Sequence, residues 1–107
     1  MAWFGFEMIP MTITRQSLGQ KREAILEIAR RHGAHDLRLF GSVARGDNTE
    51  VSDVDILVRF ESGRSLFDHG GLIADLEELL GVQVDVVSEG GMRERFRMRV
   101  LSEAVPL

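Results

Sequence analysis

Residues 41–60 have the sequence GSVARGDNTEVSDVDILVRF, in which a loop of glycine and small polar residues leads into an apolar segment. From residue 54 to residue 60 the side chains alternate, and residues two apart lie on the same face of a β-strand. The pattern therefore predicts a strand over 54–60 whose buried face consists of Val54, Ile56, Val58 and Phe60. The opposite face is expected to carry Asp53, Asp55, Leu57 and Arg59.

Two aspartates, Asp53 and Asp55, lie at the start of this strand and share its second face. Strand geometry places their Cα atoms about 6.6–7 Å apart. Two like charges at about 6.6 Å repel by about 2.5 kcal/mol at an effective dielectric constant of about 20. Because aspartate also disfavours strands, the pair indicates a compensating cation. Mg²⁺ suits such a pair, since it is commonly held by one or two carboxylates together with substrate phosphates.

A third aspartate, Asp85, interrupts the segment 82–87, VQVDVV, which predicts another short strand. The valines would form its buried face and place Asp85 on the opposite face. If this strand lies beside strand 54–60, Asp53, Asp55 and Asp85 converge. The alternative for Asp85 alone is an ordinary polar residue on an exposed face.

The loop before the aspartate pair is suited to an anionic ligand. Gly41 follows a predicted strand over 37–40, and a glycine there lets a phosphate approach the backbone, with amides and the Ser42 hydroxyl available to it. Asp47 and Asn48 stand where a Walker A motif has lysine and serine or threonine, which argues against a P-loop ATPase. The side chain of Arg45 has two possible roles, a contact with triphosphate oxygens or a local ion pair with Asp47.

A phosphate-binding loop followed by a carboxylate pair indicates phosphoryl or nucleotidyl transfer. In a two-metal arrangement Asp53 and Asp55 would bind both ions. Asp85 would complete the ion that holds the incoming hydroxyl and help to deprotonate that hydroxyl. The catalytic and metal-binding prediction is therefore Asp53, Asp55 and Asp85, and the nucleotide-binding prediction is Gly41, Ser42 and Arg45.

The rest of the chain predicts helices alternating with strands. A helix is expected to begin at a Ser17/Gln20 capping box and to end at Gly33. A second helix is expected from Ser65, with Asp68 as its capping partner, to Gly81, and a last one over residues 92–102. Segment 41–52 is expected to be a loop or one short helical turn. This order predicts an α/β domain with a small three-stranded sheet covered by helices.

Length and charge narrow the function classes. The chain has 107 residues, which is one domain, and no cysteine, which excludes disulfides and thiolate zinc sites and suits the cytoplasm. A net charge of −4 argues against direct nucleic-acid binding by the whole surface. No apolar run is long enough to span a membrane. Residues 1–16 are expected to be an N-terminal extension, either poorly ordered or a hydrophobic arm, and residues 17–107 the folded domain.

Arginines are concentrated near the C-terminus. Residues 91–107 have a net charge of +2, with arginine at positions 93, 95, 97 and 99. The segment has two interpretations, a solvated helix face or a contact with an acidic partner or the nucleotide.

The two motifs together, GSxARG over 41–46 and SDxDIxV over 52–58, resemble the signature of the minimal nucleotidyltransferases of the DNA polymerase β-like superfamily. The resemblance runs from about Leu18 to the C-terminus and includes the segment around Asp85. It implies the nucleotidyltransferase fold, a small mixed β-sheet, with Mg²⁺ (two ions) and ATP as substrate. It assigns triphosphate binding to Gly41 and Ser42, and metal binding to Asp53, Asp55 and Asp85.

The same resemblance implies a role as an antitoxin. Many such domains pair with a helical HEPN-domain toxin, and some transfer AMP to a tyrosine of that toxin. The short chain also favours an acceptor held by another protein, in a hetero-oligomer. Two alternatives remain open from the sequence: an antitoxin that acts by binding alone, and a nucleotidyltransferase acting on a small molecule or an RNA end.

Overall fold

The computed structural model of the protein describes residues 13–48 and 53–107. Its helices are α1 (Arg15–Gln20), α2 (Arg22–Arg31), α3 (Gly41–Arg45), α4 (Leu66–Leu80) and α5 (Glu94–Glu103). Its strands are β1 (Ala34–Phe40), β2 (Val54–Phe60), β3 (Val84–Ser88) and β4 (Val105–Pro106). The strands form one mixed sheet in the order β3-β2-β1-β4. Strands β2 and β3 are parallel, and β1 is antiparallel to both β2 and β4.

The hydrophobic core lies between one face of this sheet and the helices α2 and α4. The predicted buried residues Val54, Ile56 and Val58 of β2 are at most 1% exposed, and Phe60 packs at the edge of the same cluster. Helix α4 contributes Leu72, Leu76 and Leu80, and α2 contributes Ile25 and Ala29. The α/β fold and its mixed sheet agree with the prediction.

The second face of β2 is more buried than its pattern predicted. Leu57, which shares that face with Asp55, is 0% exposed. It lies outside the main core cluster, as does buried Val100 of α5. The second face is therefore partly covered rather than open, which agrees with the partial burial of the neighbouring Asp55.

The ends of α4 agree with the prediction. Ser65 is the N-cap, and its side chain and that of Asp68 form the reciprocal capping box. Gly81 ends the helix in the left-handed conformation, with φ 71°.

The start of the first helix differs from the prediction. The N-cap is Thr14, whose side chain accepts a hydrogen bond from the Ser17 amide while the Ser17 hydroxyl accepts one from the Thr14 amide. Ser17 is therefore the third helical residue and not the cap. Serine and threonine can each fill either position in a capping box, so the sequence alone favoured Ser17 over Thr14 as the cap. Residues 13–16, assigned above to an N-terminal extension, include this cap and the first two helical residues, and residues 1–12 lie outside the described part.

The sheet has four strands where the sequence predicted three. Strand β4 contains only two residues, and Val105 pairs with Leu39 at the sheet edge. Two residues give no readable alternation, and Pro106 is tolerated there because edge strands leave one side unpaired. Strand β1 also begins at Ala34, three residues before the predicted start, with a register shift between His35 and Arg38. In the described residues no helix is long and apolar enough to cross a membrane.

Candidate functional site

The three predicted carboxylates come together at one end of the sheet. Strands β2 and β3 are parallel with Asp55 paired to Asp85 across the ladder, so both side chains lie on the same face. Asp53 immediately precedes β2 and shares that face. Asp55 is half-buried, whereas Asp53 and Asp85 are exposed. The structure therefore juxtaposes the predicted set on the face opposite the main core.

The electrostatics of this cluster are unfavourable without a cation. The pKa of Asp55 is raised from 3.8 to about 6, first by burial and then by the charges of Asp85 and Asp53, against a lowering contribution from Arg45. Among the described residues no hydrogen bond or ion pair reaches any of the three carboxylates. The cluster thus holds negative charge that the described residues leave largely uncompensated.

Gly41 lies directly against Asp55. Phe40, the last residue of β1, pairs with Asp55 across the antiparallel ladder, and Gly41 begins α3 at the next position. Gly41 has φ +72°, and a Cβ atom added to it would collide with the Asp55 carboxylate. Only glycine fits both the left-handed conformation and this close approach. The backbone of the predicted phosphate-binding loop is therefore within contact distance of the carboxylate cluster, and Ser42 follows as the second residue of α3.

Arg45, at the end of α3, makes two ion pairs. Its Nε donates to Asp47 Oδ2 at 3.2 Å and its Nη1 to Glu103 Oε1 at 3.2 Å. The first is the local pair that the sequence offered as one interpretation; the contact with a triphosphate remains a prediction. Glu103 was not identified from the sequence, because 58 residues separate it from Arg45 and no spacing pattern connects them.

The carboxylate oxygens of the aspartate cluster fit Mg²⁺ as part of a site that substrate and water would complete. Within residues 13–48 and 53–107 no three Asp, Glu or His side chains form a ready-made metal site. Mg²⁺ seldom uses an all-protein cage, however, and is commonly bound by one or two carboxylates completed by water and substrate phosphates. Adjacent Asp55 and Asp85, with Asp53 beside them, would supply such oxygen ligands next to the Gly41 backbone.

The three histidines of the chain and Arg97 make structural contacts. His32 lies 2.8 Å from Asp75, His35 lies 2.8 Å from Glu61, and His69 lies 2.7 Å from the Val86 carbonyl oxygen. In the arginine-rich segment, Arg97 pairs with Glu89 at 3.3 Å, and positions 93, 95 and 99 are exposed. The histidines thus connect helices and strands to one another, and none of them contacts Asp53, Asp55 or Asp85 among the described contacts.

Replacing Asp55 by asparagine is expected to stabilise the metal-free protein. Because the pKa of Asp55 is about 6 when folded and 3.8 ordinarily, the folded state holds the proton more tightly, and this stabilisation is lost as pH rises from about 4 to about 6. Above that pH window the free energy of unfolding of Asp55→Asn should exceed that of wild type by about 1–2 kcal/mol. This value is reduced to account for the partial exposure of the carboxylate. Urea unfolding of both proteins in EDTA at pH 4, 6 and 8 measures the difference.

The control for this prediction is added Mg²⁺. It should raise wild-type stability at pH 8 more than that of Asp55→Asn. A stability difference that does not change between pH 4 and pH 8 would contradict the electrostatic explanation.

Comparison with known proteins is consistent with this geometry. Protein adenylyltransferase MntA of Thermococcus cleftensis is 42% identical over 79 residues, which cover 74% of this chain and 80% of that protein. A candidate protein adenylyltransferase of Methanocaldococcus jannaschii is 39% identical over 89 residues, covering 83% of this chain and 96% of that protein.

Solved structures show the same architecture. A structure described as a minimal nucleotidyltransferase has a TM-score of 0.80 at 54% identity and covers 89% of this chain and 97% of that chain. A toxin–antitoxin structure with AMP-PNP has a TM-score of 0.69 at 22% identity, covering 78% of this chain and 69% of that chain, and shares the fold. Residues 21–107 match the family model described as the nucleotidyltransferase domain. The chain therefore belongs to the nucleotidyltransferase domain family, in its minimal form.

Proposed function

We propose that this protein is a Mg²⁺-dependent protein adenylyltransferase and antitoxin that transfers AMP from ATP to a tyrosine hydroxyl of a HEPN-domain toxin. The observation that carries the proposal is the pairing of Asp55 with Asp85 beside the Gly41 backbone. This juxtaposition supports a metal-binding role for the carboxylate cluster and a phosphate-binding role for the adjacent loop. The names of the relatives, protein adenylyltransferases from two organisms, support the reaction class.

The triphosphate-binding role falls to Gly41, Ser42 and Arg45. The absent Cβ at Gly41 lets its backbone lie against the Asp55 carboxylate, and the Ser42 hydroxyl is available as a donor to an anionic oxygen. Arg45 adds a positive charge on the same side, close enough to influence Asp55. When bound, Mg²⁺ (two ions) would neutralise charge on the carboxylates and the triphosphate and polarise the α-phosphate.

The proposed transfer is a substitution at the α-phosphorus of ATP. The tyrosine oxygen forms a bond to the α-phosphorus while the bond from that phosphorus to the α–β bridging oxygen breaks, releasing pyrophosphate. The hydroxyl proton passes to Asp85, one of the two exposed carboxylates of the cluster. Asp53 and Asp55 hold the reacting groups in place, and positioning and charge stabilisation supply most of the rate.

A toxin partner is supported by the solved relatives that share the fold. One is a toxin–antitoxin complex with AMP-PNP, and another is a mutant of the toxin–antitoxin pair MntA-HpeT. We infer that this chain likewise forms a hetero-oligomer with its toxin in the cytoplasm. The acceptor tyrosine then enters the site from the other protein.

The proposal is tested with the protein encoded by the neighbouring reading frame. The purified pair is incubated with ATP and Mg²⁺, and the modified residues of the partner are identified by mass spectrometry. We expect AMP on a tyrosine of the partner with wild type and at least about 10²-fold less modification with Asp53→Asn, whose circular dichroism should match wild type.

A parallel assay measures growth in cells that express the toxin. Under the proposal Asp53→Asn loses neutralisation together with modification. Full neutralisation by an inactive, folded Asp53→Asn would instead support an antitoxin that acts by binding alone. Transfer of AMP to an RNA end or a small molecule, with no transfer to the partner, would show that the acceptor is not the toxin.

A further inference from the structure

The guanidinium of Arg45 is held on two sides by carboxylates from different parts of the chain. Asp47, two residues later, accepts a hydrogen bond from Nε, and Glu103, at the end of α5, accepts one from Nη1. Asp47 is 62% exposed at its side chain and Glu103 35%. The Glu103 contact is therefore the better anchored of the two, and it comes from an element outside the sequence motif.

Two features of the fold fix Glu103 beside Arg45. Helix α5 packs against α3, the helix that ends at Arg45. Two residues after Glu103, Val105 pairs with Leu39 of β1, and β1 leads directly into Gly41. The last residue of α5 and the last residue of α3 are thus both tied to the same end of β1, so their side chains meet without depending on a flexible loop.

The two ion pairs leave part of the guanidinium available. Arginine has five N–H donors, and the pairs with Asp47 and Glu103 engage one donor on Nε and one on Nη1. Among the described residues no hydrogen bond is made by Nη2. The charge of Arg45 also lowers the pKa of Asp55, so the guanidinium lies within electrostatic reach of the carboxylate cluster.

We infer that Glu103 is a positioning residue that holds the Arg45 side chain in the orientation in which it binds the triphosphate of ATP. This inference rests on the proposed nucleotide site and extends it to the C-terminal helix. A long arginine side chain loses rotamer freedom when it binds a ligand, and a partner that fixes it beforehand removes part of that cost. Glu103 therefore acts on nucleotide affinity through Arg45, without touching the nucleotide.

The test separates the KM for ATP from kcat in AMP transfer by the complete chain with its partner protein. Glu103→Ala is expected to raise the KM for ATP about 3- to 10-fold with less than about a 2-fold change in kcat. Glu103→Gln keeps an oxygen that accepts from Nη1 and should recover most of the wild-type KM. In an Arg45→Ala background, Glu103→Ala should add nothing, because its effect is transmitted through Arg45.

The matched control is Glu94→Ala on the same helix. Glu94 is 76% exposed and lies 3.7 Å from Arg97, so its removal should leave KM and kcat at wild-type values. A lower KM in Glu103→Ala would mean that Glu103 competes with the nucleotide and would overturn the inference. An unchanged KM, or the same increase with and without Arg45, would also overturn it.

Direct ATP binding by calorimetry distinguishes this inference from the proposed function. If wild type binds ATP with Mg²⁺ but transfers nothing to the partner, the transfer proposal fails. A 3- to 10-fold weaker ATP affinity in Glu103→Ala would then still support the positioning role, and an unchanged affinity would refute it.

Discussion

Asp55→Asn is expected to reduce AMP transfer about 10³-fold while leaving the protein folded. Asp55 is the half-buried member of the carboxylate cluster, paired with Asp85 and in contact range of Gly41. The amide is nearly the same size but carries no charge, so it weakens cation binding without creating a cavity. Single-turnover transfer with saturating ATP and Mg²⁺ measures the loss, and thermal unfolding verifies the fold.

Asp36→Asn provides the matched substitution for this experiment. Asp36 is exposed, lies on the irregular part of β1 and pairs with Arg59 at 3.2 Å. Its φ of 54° is in the left-handed region, which asparagine also accepts. Transfer by Asp36→Asn should therefore equal that of wild type. If Asp55→Asn transfers AMP at the wild-type rate, Asp55 is not a catalytic residue.

Gly41→Ala is expected to abolish measurable ATP binding and to destabilise the fold. A side chain at φ +72° costs about 1–2 kcal/mol, and the added methyl group would meet the Asp55 carboxylate. Asp55 must move or the start of α3 must shift, and either change disrupts the predicted phosphate-binding backbone. Calorimetric titration with ATP and Mg²⁺, together with urea unfolding, measures both effects.

Gly81→Ala isolates the backbone contribution. Gly81 has φ +71°, nearly the same as Gly41, but apart from its chain neighbours no atom of residues 13–48 and 53–107 lies within 4 Å of an added Cβ. Gly81→Ala should therefore lose about 1–2 kcal/mol of stability and keep its affinity for ATP. Equal ATP affinities in the two variants would show that the contact between Gly41 and Asp55 has no role in nucleotide binding.

The sequence was most informative where one local rule determined the structure. Alternation placed Asp53 and Asp55 on one face of β2, and the valines of β3 placed Asp85 on the corresponding face. The Ser65 capping box and Gly81 defined α4. The position of Asp85 beside Asp55 needed one further assumption, that the two strands are neighbours, and the parallel register confirms it.

The sequence was least informative where distant elements meet. The ion pair of Arg45 with Glu103 depends on the packing of α5 against α3, and strand β4 depends on an available edge of β1. Leu57 is buried although its strand pattern assigned it to the polar face, because alternation along one strand does not show which elements pack on that face. The helix cap at Thr14 was missed for a local reason, since two hydroxyl residues three apart can exchange roles.

The most direct test of the adenylyltransferase proposal compares two labels on ATP. The wild-type protein and its partner are incubated with ATP labelled at either the α- or the γ-phosphate, in Mg²⁺ or in EDTA. The proposal predicts that the partner acquires the α-label only, that pyrophosphate is released in equal amount, and that EDTA stops the reaction. Transfer of the γ-label, or transfer of the α-label that persists in EDTA, would contradict it.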